Sequence, residues 1–189
     1  MAMGIDAAQV QDVIITHMHY DHAGNLELFP NARFHVQDAE MEYVTGRAMT
    51  HPSLRHSFHL DDVVEMVRMV YGDRVVFHNG DDTLVPGIGL HHVPGHTRGL
   101  QSVSVATKRG LIVLASDAAH YYENVHDELP FSTVENIFQM LEGYRKVKRL
   151  AGAPERLVPG HDPLVLERYP APSEELKGIV AALDEAPSE

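Results

Sequence analysis

The sequence predicts a mixed α/β domain, and three observations point to it. Short apolar runs closed by polar turn residues recur along the chain, as in Val13-Ile14-Ile15 and Leu111-Ile112-Val113-Leu114-Ala115, which is the pattern of buried strands. Between such runs lie stretches with apolar residues at helical spacing, the clearest being Leu60–Val70 and Thr133–Leu150. Metal-capable side chains follow several of the apolar runs directly, and functional residues of sheet proteins gather in loops on one edge of the scaffold. At 189 residues the chain suits one domain, read as spanning 1–189 with a helical excursion at about 38–71.

Composition narrows the function classes. An apolar content of 44% is that of an ordinary globular protein. A formal charge of −12 argues against a nucleic-acid partner, because phosphate binding needs a basic footprint. Cysteine is absent, so there is no disulfide framework and no thiolate ligand, and any metal must be held by nitrogen and oxygen. The 14 histidines invite a search for such ligands. No run approaches the ~20 apolar residues of a membrane helix, and the N-terminus lacks a basic, apolar leader pattern. The expectation is a cytoplasmic protein with no membrane partner.

Taken in order, Asp6 is positioned to cap one helical turn, and Val13-Ile14-Ile15 is the first strand. Ala23–Phe29 reads as a short helix stopped by Pro30, and Arg33–Gln37 alternates as a strand whose His35 sits on a strand face. Asp38 caps a helix running to Val44, and Leu60–Val70 is the next helix. The looser piece between them, Gly46–His59, is either a lid or binding loop or a packing excursion with surface histidines. Val75–His78, Thr83–Val85, Gly89–Val93, Ser102–Thr107 and Leu111–Ala115 are strands, the last a central one because its apolar run is unbroken. His78, His91 and His92 have structural or surface roles in this reading. The long helix Thr133–Leu150, capped by Ser132, carries a stripe of Val134, Ile137, Phe138, Leu141, Tyr144, Val147 and Leu150, with Met140 at its edge. Arg156–Val158 is a short strand, and a final helix Glu174–Leu183 leaves an acidic tail expected to fray.

The chemistry concentrates after the first strand, in Thr16–Asn25 (THMHYDHAGN). Alternate residues of an extended segment project the same way, so His17 and His19 can grip one ion, while Asp21 and His22, past the bend, face a second. A lone histidine is usually a surface or core residue. Four such groups at this spacing are hard to explain as packing, given the cost of unpaired buried polar atoms. Further along, His96, Asp117 and His161 each follow an apolar run and a turn. That distribution is what a two-metal site requires, since two ions need about six or seven ligands and one carboxylate can bridge them.

With these residues in view, the chain resembles the metallo-β-lactamase-fold hydrolases. HMHYDH is similar to that family's signature of alternating histidines followed by Asp-His. Pro94-Gly95-His96-Thr97, Ser116-Asp117 and Pro159-Gly160-His161-Asp162 match its later motifs in order, over about Gly4 to Pro170. DHAGN, PGHTRGLQSV, LASDAAHYYEN and VPGHDPLV look closest to the N-acyl-homoserine lactonase-like branch. The resemblance implies an αββα sandwich and a quorum-quenching lactonase. It also implies two divalent metal ions, Zn²⁺ or else Fe, Mn or Co. His17, His19 and His96 would hold one ion, Asp21, His22 and His161 the other, and Asp117 would bridge. A metal-activated hydroxide would attack a lactone or ester carbonyl, and Asp21 would pass the proton to the leaving alkoxide.

Two departures from the family pattern bear on this. Where many lactonases of this type place a tyrosine three residues after the bridging aspartate, this chain has His120, followed by Tyr121 and Tyr122. Either His120 takes over hydrogen bonding to the carbonyl oxygen, or Tyr121 reaches in, or neither acts. The family's strands before the first motif are also missing, so the sandwich is expected to be N-terminally truncated, with an exposed sheet edge that a second subunit of a homo-oligomer would cover. The rival readings are a glyoxalase II-like thioesterase or β-lactam hydrolase on the same scaffold, and an inactive truncated fragment acting only as an assembly partner.

Overall fold

In the computed structural model, eight strands form two sheets among the described residues, 3–188. Asp6 caps a 3-10 turn over Ala7–Gln9, its side chain accepting from the Ala8 N–H at 3.0 Å. Strand β1 (Asp12–Ile14) then leads into the histidine motif. Helix α1 (Tyr20–Ala23) starts inside that motif, so the helix expected over Ala23–Phe29 is replaced by this single turn and a 3-10 turn at Leu26–Leu28. Asn25 separates the two pieces with a φ of 65°, the left-handed conformation that ends a helix and that asparagine tolerates.

The next segment follows the expected order: β2 (Arg33–Gln37), α2 (Asp38–Val44), a 3-10 turn at Arg47–Thr50, α3 (Pro52–Arg55), α4 (Leu60–Tyr71) and β3 (Val75–His78). Gln37, not Asp38, stands at the cap of α2; Asp38 is the first helical residue, where its charge still favours the helix dipole. Strands β1, β2 and β3 pair in parallel in that order. Met41, Tyr43 and Val44 of α2 and Met66 and Met69 of α4 bury against Phe34 and Val36 of β2, so these helices cover one face of the sheet.

The second sheet has β4 (Asp82–Val85), β5 (Ile88–His92), β6 (Gln101–Thr107), β7 (Gly110–Ser116) and β8 (Leu157–Pro159) in sequential order. Its pairs are antiparallel except β7 with β8, which is parallel. Strand β7 is interior, as its apolar run demands. Helices α5 (Tyr122–His126) and α6 (Ile137–Ala151) flank it, and α7 (Leu164–Arg168) follows β8.

Helix α6 begins four residues later than its apolar pattern suggested, capped by the Asn136 side chain and not by Ser132. Its buried face is Met140, Gly143, Tyr144, Val147 and Ala151, so Met140 is in the core, whereas Phe138 is 72% exposed. Residues before Asn136 are held elsewhere: the N–H groups of Glu135 and Asn136 both donate to the Gly95 carbonyl. The C-terminal helix is reduced to a 3-10 turn at Glu174–Leu176. The tail beyond is not frayed, since Arg109 donates to the Leu183 carbonyl, Lys108 pairs with Glu185, and the Ser188 N–H donates to the Arg168 carbonyl.

A buried pair of amides ties the sheets together. Gln37 donates to Gln101 at 2.9 Å, and Gln101 in turn donates to the carbonyls of Ile15 and His35. Fully buried amides are tolerable only when bonded in this way. The layers therefore run helix, sheet, sheet, helix. A second polar chain crosses the first sheet, from Asp12 through His35 and His78 to Asp82, with contacts of 2.9, 2.9 and 2.7 Å. His35 and His78 are structural, and the His35 bond holds the Asp12 carboxyl below its usual range. Among the described residues no helix is long and apolar enough to cross a membrane.

Candidate metal centre

All seven ligand-type residues converge where the two sheets present their loops. Past β1 the backbone stays extended to His19, so His17 and His19 point the same way, and α1 then turns Asp21 and His22 toward a neighbouring position. Ring nitrogens of His17, His19 and His96 lie within 4.8 Å of one another, and the same holds for the ligand atoms of Asp21, His22 and His161. Asp117, carried at the end of β7, stands between the two groups. Its Oδ2 is 3.4 Å from His96 Nε2 and 3.9 Å from His17 Nε2. Its Oδ1 is 3.2 Å from His22 Nε2 and 3.1 Å from His161 Nε2.

The supporting contacts are local and specific. Ser116 adopts a φ of 49°, an unfavourable conformation for a residue with a side chain, and so re-aims the chain as it leaves β7 for Asp117. The Ser116 hydroxyl donates to Thr16 Oγ1, which lies 3.3 Å from His17 Nδ1 and 3.4 Å from His22 Nδ1. His96 donates through Nδ1 to the Thr133 carbonyl at 2.7 Å, which fixes the tautomer and leaves the Nε2 lone pair facing Asp117 and His19. This bond explains why residues 133–136 stay out of α6. Gly95 has a φ of 140°, and a Cβ there would come within 2.4 Å of the Met140 backbone nitrogen, so the His96 loop lies tight on α6.

The electrostatics suit a cation. Burial, joined by the neighbouring rings, pushes His17 well below the ordinary imidazole range, and burial brings His19 down to about 3 and His96 to about 4. These rings are neutral at pH 7 and offer lone pairs. Burial works to raise the Asp117 carboxyl, but contacts from His120, His22 and His17 hold it far below its usual range. His22 moves the other way: burial lowers it, yet contact with Asp117 leaves it raised overall. The Nε2 atoms of His17 and His22 are buried with no hydrogen bond, a costly arrangement that a divalent cation would relieve. An all-nitrogen-and-oxygen donor set of this kind fits Zn²⁺, and equally Fe, Mn or Co.

A pH dependence follows for the chelator-treated chain. The unfolded imidazoles bind protons below about 6.5, whereas the folded values for His19 and His96 are about 3 and about 4. The folded state therefore binds fewer protons, and stability is full above that range and lost as pH falls through it. Each of these two rings should remove about 2 kcal/mol by pH 5, with His22 opposing in part. Thermal unfolding of the metal-free chain at pH 7 and pH 5 checks this, and equal or higher stability at pH 5 would contradict it.

His120 and Tyr121 lie in the same cleft, with His19, Ser57 and Thr133 also on its walls. His120 Nε2 is 2.7 Å from Asp117 Oδ2, and its ring stacks on Phe131 with centroids 3.6 Å apart. Tyr121 is exposed at the rim, its ring 6.2 Å from that of His120. Tyr122 turns inward, under the Arg168 guanidinium. The excursion at 38–71 reaches the site through Phe58, whose ring packs 4.5 Å from that of His19. Sequence reasoning missed Thr133, Phe131 and Ser57, which bear no ligand pattern. It also missed Glu40, whose one signal is a charge sharing the buried face of α2 with Tyr43 and Val44.

Known proteins align with this picture. A family model described as the Metallo-beta-lactamase superfamily matches residues 1–174. An N-acyl homoserine lactonase of Bacillus cereus is 33% identical over 121 residues, which cover 64% of this chain and 43% of that protein. The N-acyl homoserine lactonase AttM of Azorhizobium caulinodans is 32% identical over 177 residues, covering 86% of this chain and 62% of its own length. Among solved structures, B. thuringiensis AiiA with N-decanoyl-L-homoserine bound at its active site superposes with a TM-score of 0.70 at 26% identity, covering 85% of this chain and 59% of that one. The chain thus spans about half the length of the curated Bacillus relatives it matches.

Proposed function

The chain belongs to the metallo-beta-lactamase superfamily, and from that premise we propose that it is a dinuclear metal-dependent hydrolase that opens lactone rings, with N-acyl-homoserine lactones as the substrate class. The observation that carries the reading is Asp117, which turns one carboxylate oxygen toward His17 and His96 and the other toward His22 and His161. In this reading His17, His19 and His96 would hold one divalent cation and Asp21, His22 and His161 the other, with Asp117 shared between them. Bound there, the pair would supply Lewis acidity toward a carbonyl oxygen and bring the pKa of a coordinated water down toward neutrality. The relatives named as N-acyl homoserine lactonases support the choice of a lactone ester as substrate.

The chain's own residues then have distinct tasks. Asp21 is the exposed carboxylate of the set and lines the cleft, so it is placed to carry a proton to the leaving ring oxygen. His120 donates its Nε2 proton to Asp117 and is held flat by Phe131, which leaves Nδ1 as a lone-pair acceptor, suited to an N–H of the substrate and not to its carbonyl oxygen. Tyr121, on the rim, is placed to contact the part of the substrate outside the ring. Phe58 closes the wall beside His19 and keeps water from that side.

Elemental analysis of the chain purified without chelator or added metal, followed by a substrate panel, tests the reading. The expected result is about two divalent ions per chain, as the ligand count requires, and faster turnover of N-acyl-homoserine lactones than of thioesters or β-lactams. Full metal content with preference for a thioester or β-lactam would move the function to another ester-like bond on the same site. No metal, even after added zinc, would overturn it.

A further inference from the structure

Beyond the ligand set, the largest unexplained expenditure of polarity is Glu40, a carboxylate on α2 that is 0% exposed. Its Oε1 accepts from the Met18 N–H at 2.8 Å. Its Oε2 accepts from the Thr97 hydroxyl at 2.7 Å and from the Gly99 N–H at 3.0 Å. Met18 sits between His17 and His19, and Thr97 follows His96. One side chain therefore ties together the two loops that carry the three histidines of one group. Its hydrogen bonds stop at Met18, short of the turn into α1 that carries Asp21 and His22, and none reaches the His161 loop among the described residues. The approach is close on the His96 side, because a Cβ at Gly99 would fall 2.1 Å from the Glu40 backbone nitrogen. Burial raises the carboxyl's pKa, and the three donors work against that rise.

We propose that Glu40 is a positioning residue for the His17, His19 and His96 group, fixing the spacing of its two loops and thereby setting that group's affinity for a divalent cation. The inference rests on the ligand assignment above and adds a residue that touches neither cation nor substrate. Its chemistry follows from donor counting. All three partners present hydrogens to Glu40, and an ionised carboxylate is an acceptor at both oxygens. A glutamine of the same size must turn its amide N–H₂ toward either Met18 or Gly99, donor against donor, so one loop is released. An aspartate is one methylene shorter and cannot span both loops.

The test uses cobalt(II) as probe, titrated into the chelator-stripped chain and followed by visible absorption and by dialysis. Two single-site backgrounds separate the groups: His161→Ala leaves the His17, His19 and His96 group, and His96→Ala leaves the other. Glu40→Gln is expected to weaken cobalt binding about 10- to 100-fold in the first background, the range for a residue orienting metal ligands, and to leave it within about twofold in the second. Thr97→Val, which keeps the volume and removes one donor, should act on the same group by about fivefold, the worth of one hydrogen bond. Equal weakening in both backgrounds would make Glu40 a general fold element and overturn the inference, as would no weakening in either. Should Glu40→Gln fail to give a native circular dichroism spectrum, Thr97→Val decides by the same comparison. Failure of the unmodified chain to bind cobalt would instead sink the ligand assignment, and the inference with it.

Discussion

On the proposed two-cation reading, replacing Asp117 by Asn should remove both divalent ions together and lower lactone turnover by about a thousandfold or more, the equivalent of losing several kcal/mol of metal-derived stabilisation. The expectation follows from placement. Asp117 lies 3.1–3.9 Å from ring nitrogens of His17, His22, His96 and His161, and 2.7 Å from His120. An amide keeps the shape but carries no charge, and its N–H₂ faces rings whose lone pairs are needed for a cation. Both groups lose their shared anion at once. Metal content and turnover measured on the same preparation check this, with circular dichroism to confirm folding. Loss of a single ion with the other retained at full occupancy would show that Asp117 serves one group only, and the bridging role would fall.

Asp21→Asn should separate chemistry from metal binding. Asp21 belongs to the second group, Oδ2 lying 3.4 Å from His22 Nε2 and 3.7 Å from His161 Nε2, yet its side chain is 41% exposed in the cleft. Asparagine preserves one oxygen for a cation and removes the capacity to accept and release a proton. Turnover should fall by about 100- to 10,000-fold, the usual worth of a positioned acid or base, with a much smaller change in metal content. Parallel losses of metal and rate would make Asp21 a ligand without a proton-transfer role. The contrast between the two variants is informative because both residues border His22 and His161, while Asp117 alone of the two also reaches His17 and His96 and is buried.

Much of the candidate site is legible in residue type and local period. Ligand residues must reach a metal from short, rigid supports, so they fall just after apolar runs, and such runs are visible one at a time. His17 and His19 needed only the two-residue period of an extended chain, and Asp21 and His22 needed only a bend, which α1 provides. Strands β2, β3 and β7 were equally plain, because alternation or an unbroken apolar run is a local property.

Other features depended on partners distant in sequence. The start of α6 is set by the Gly95 carbonyl, which draws off the N–H groups of Glu135 and Asn136, and by His96, which claims the Thr133 carbonyl. Apolar spacing cannot register such bonds, so Tyr144 and Val147 of the expected stripe are buried, whereas Phe138 is exposed and Met140, placed at the stripe's edge, is in the core. The acidic tail reads as frayed by its composition but is bonded to Arg109 and to the Arg168 carbonyl. Which side chains could hold a cation, and the strand ends that carry them, follow from residue type and local period alone. How those ends meet depends on the packed fold: Asp117 divides its oxygens between two groups, His120 stacks on Phe131, and Glu40 couples two loops. Those are contacts between segments separated by many residues, and their geometry exists only once the two sheets have packed.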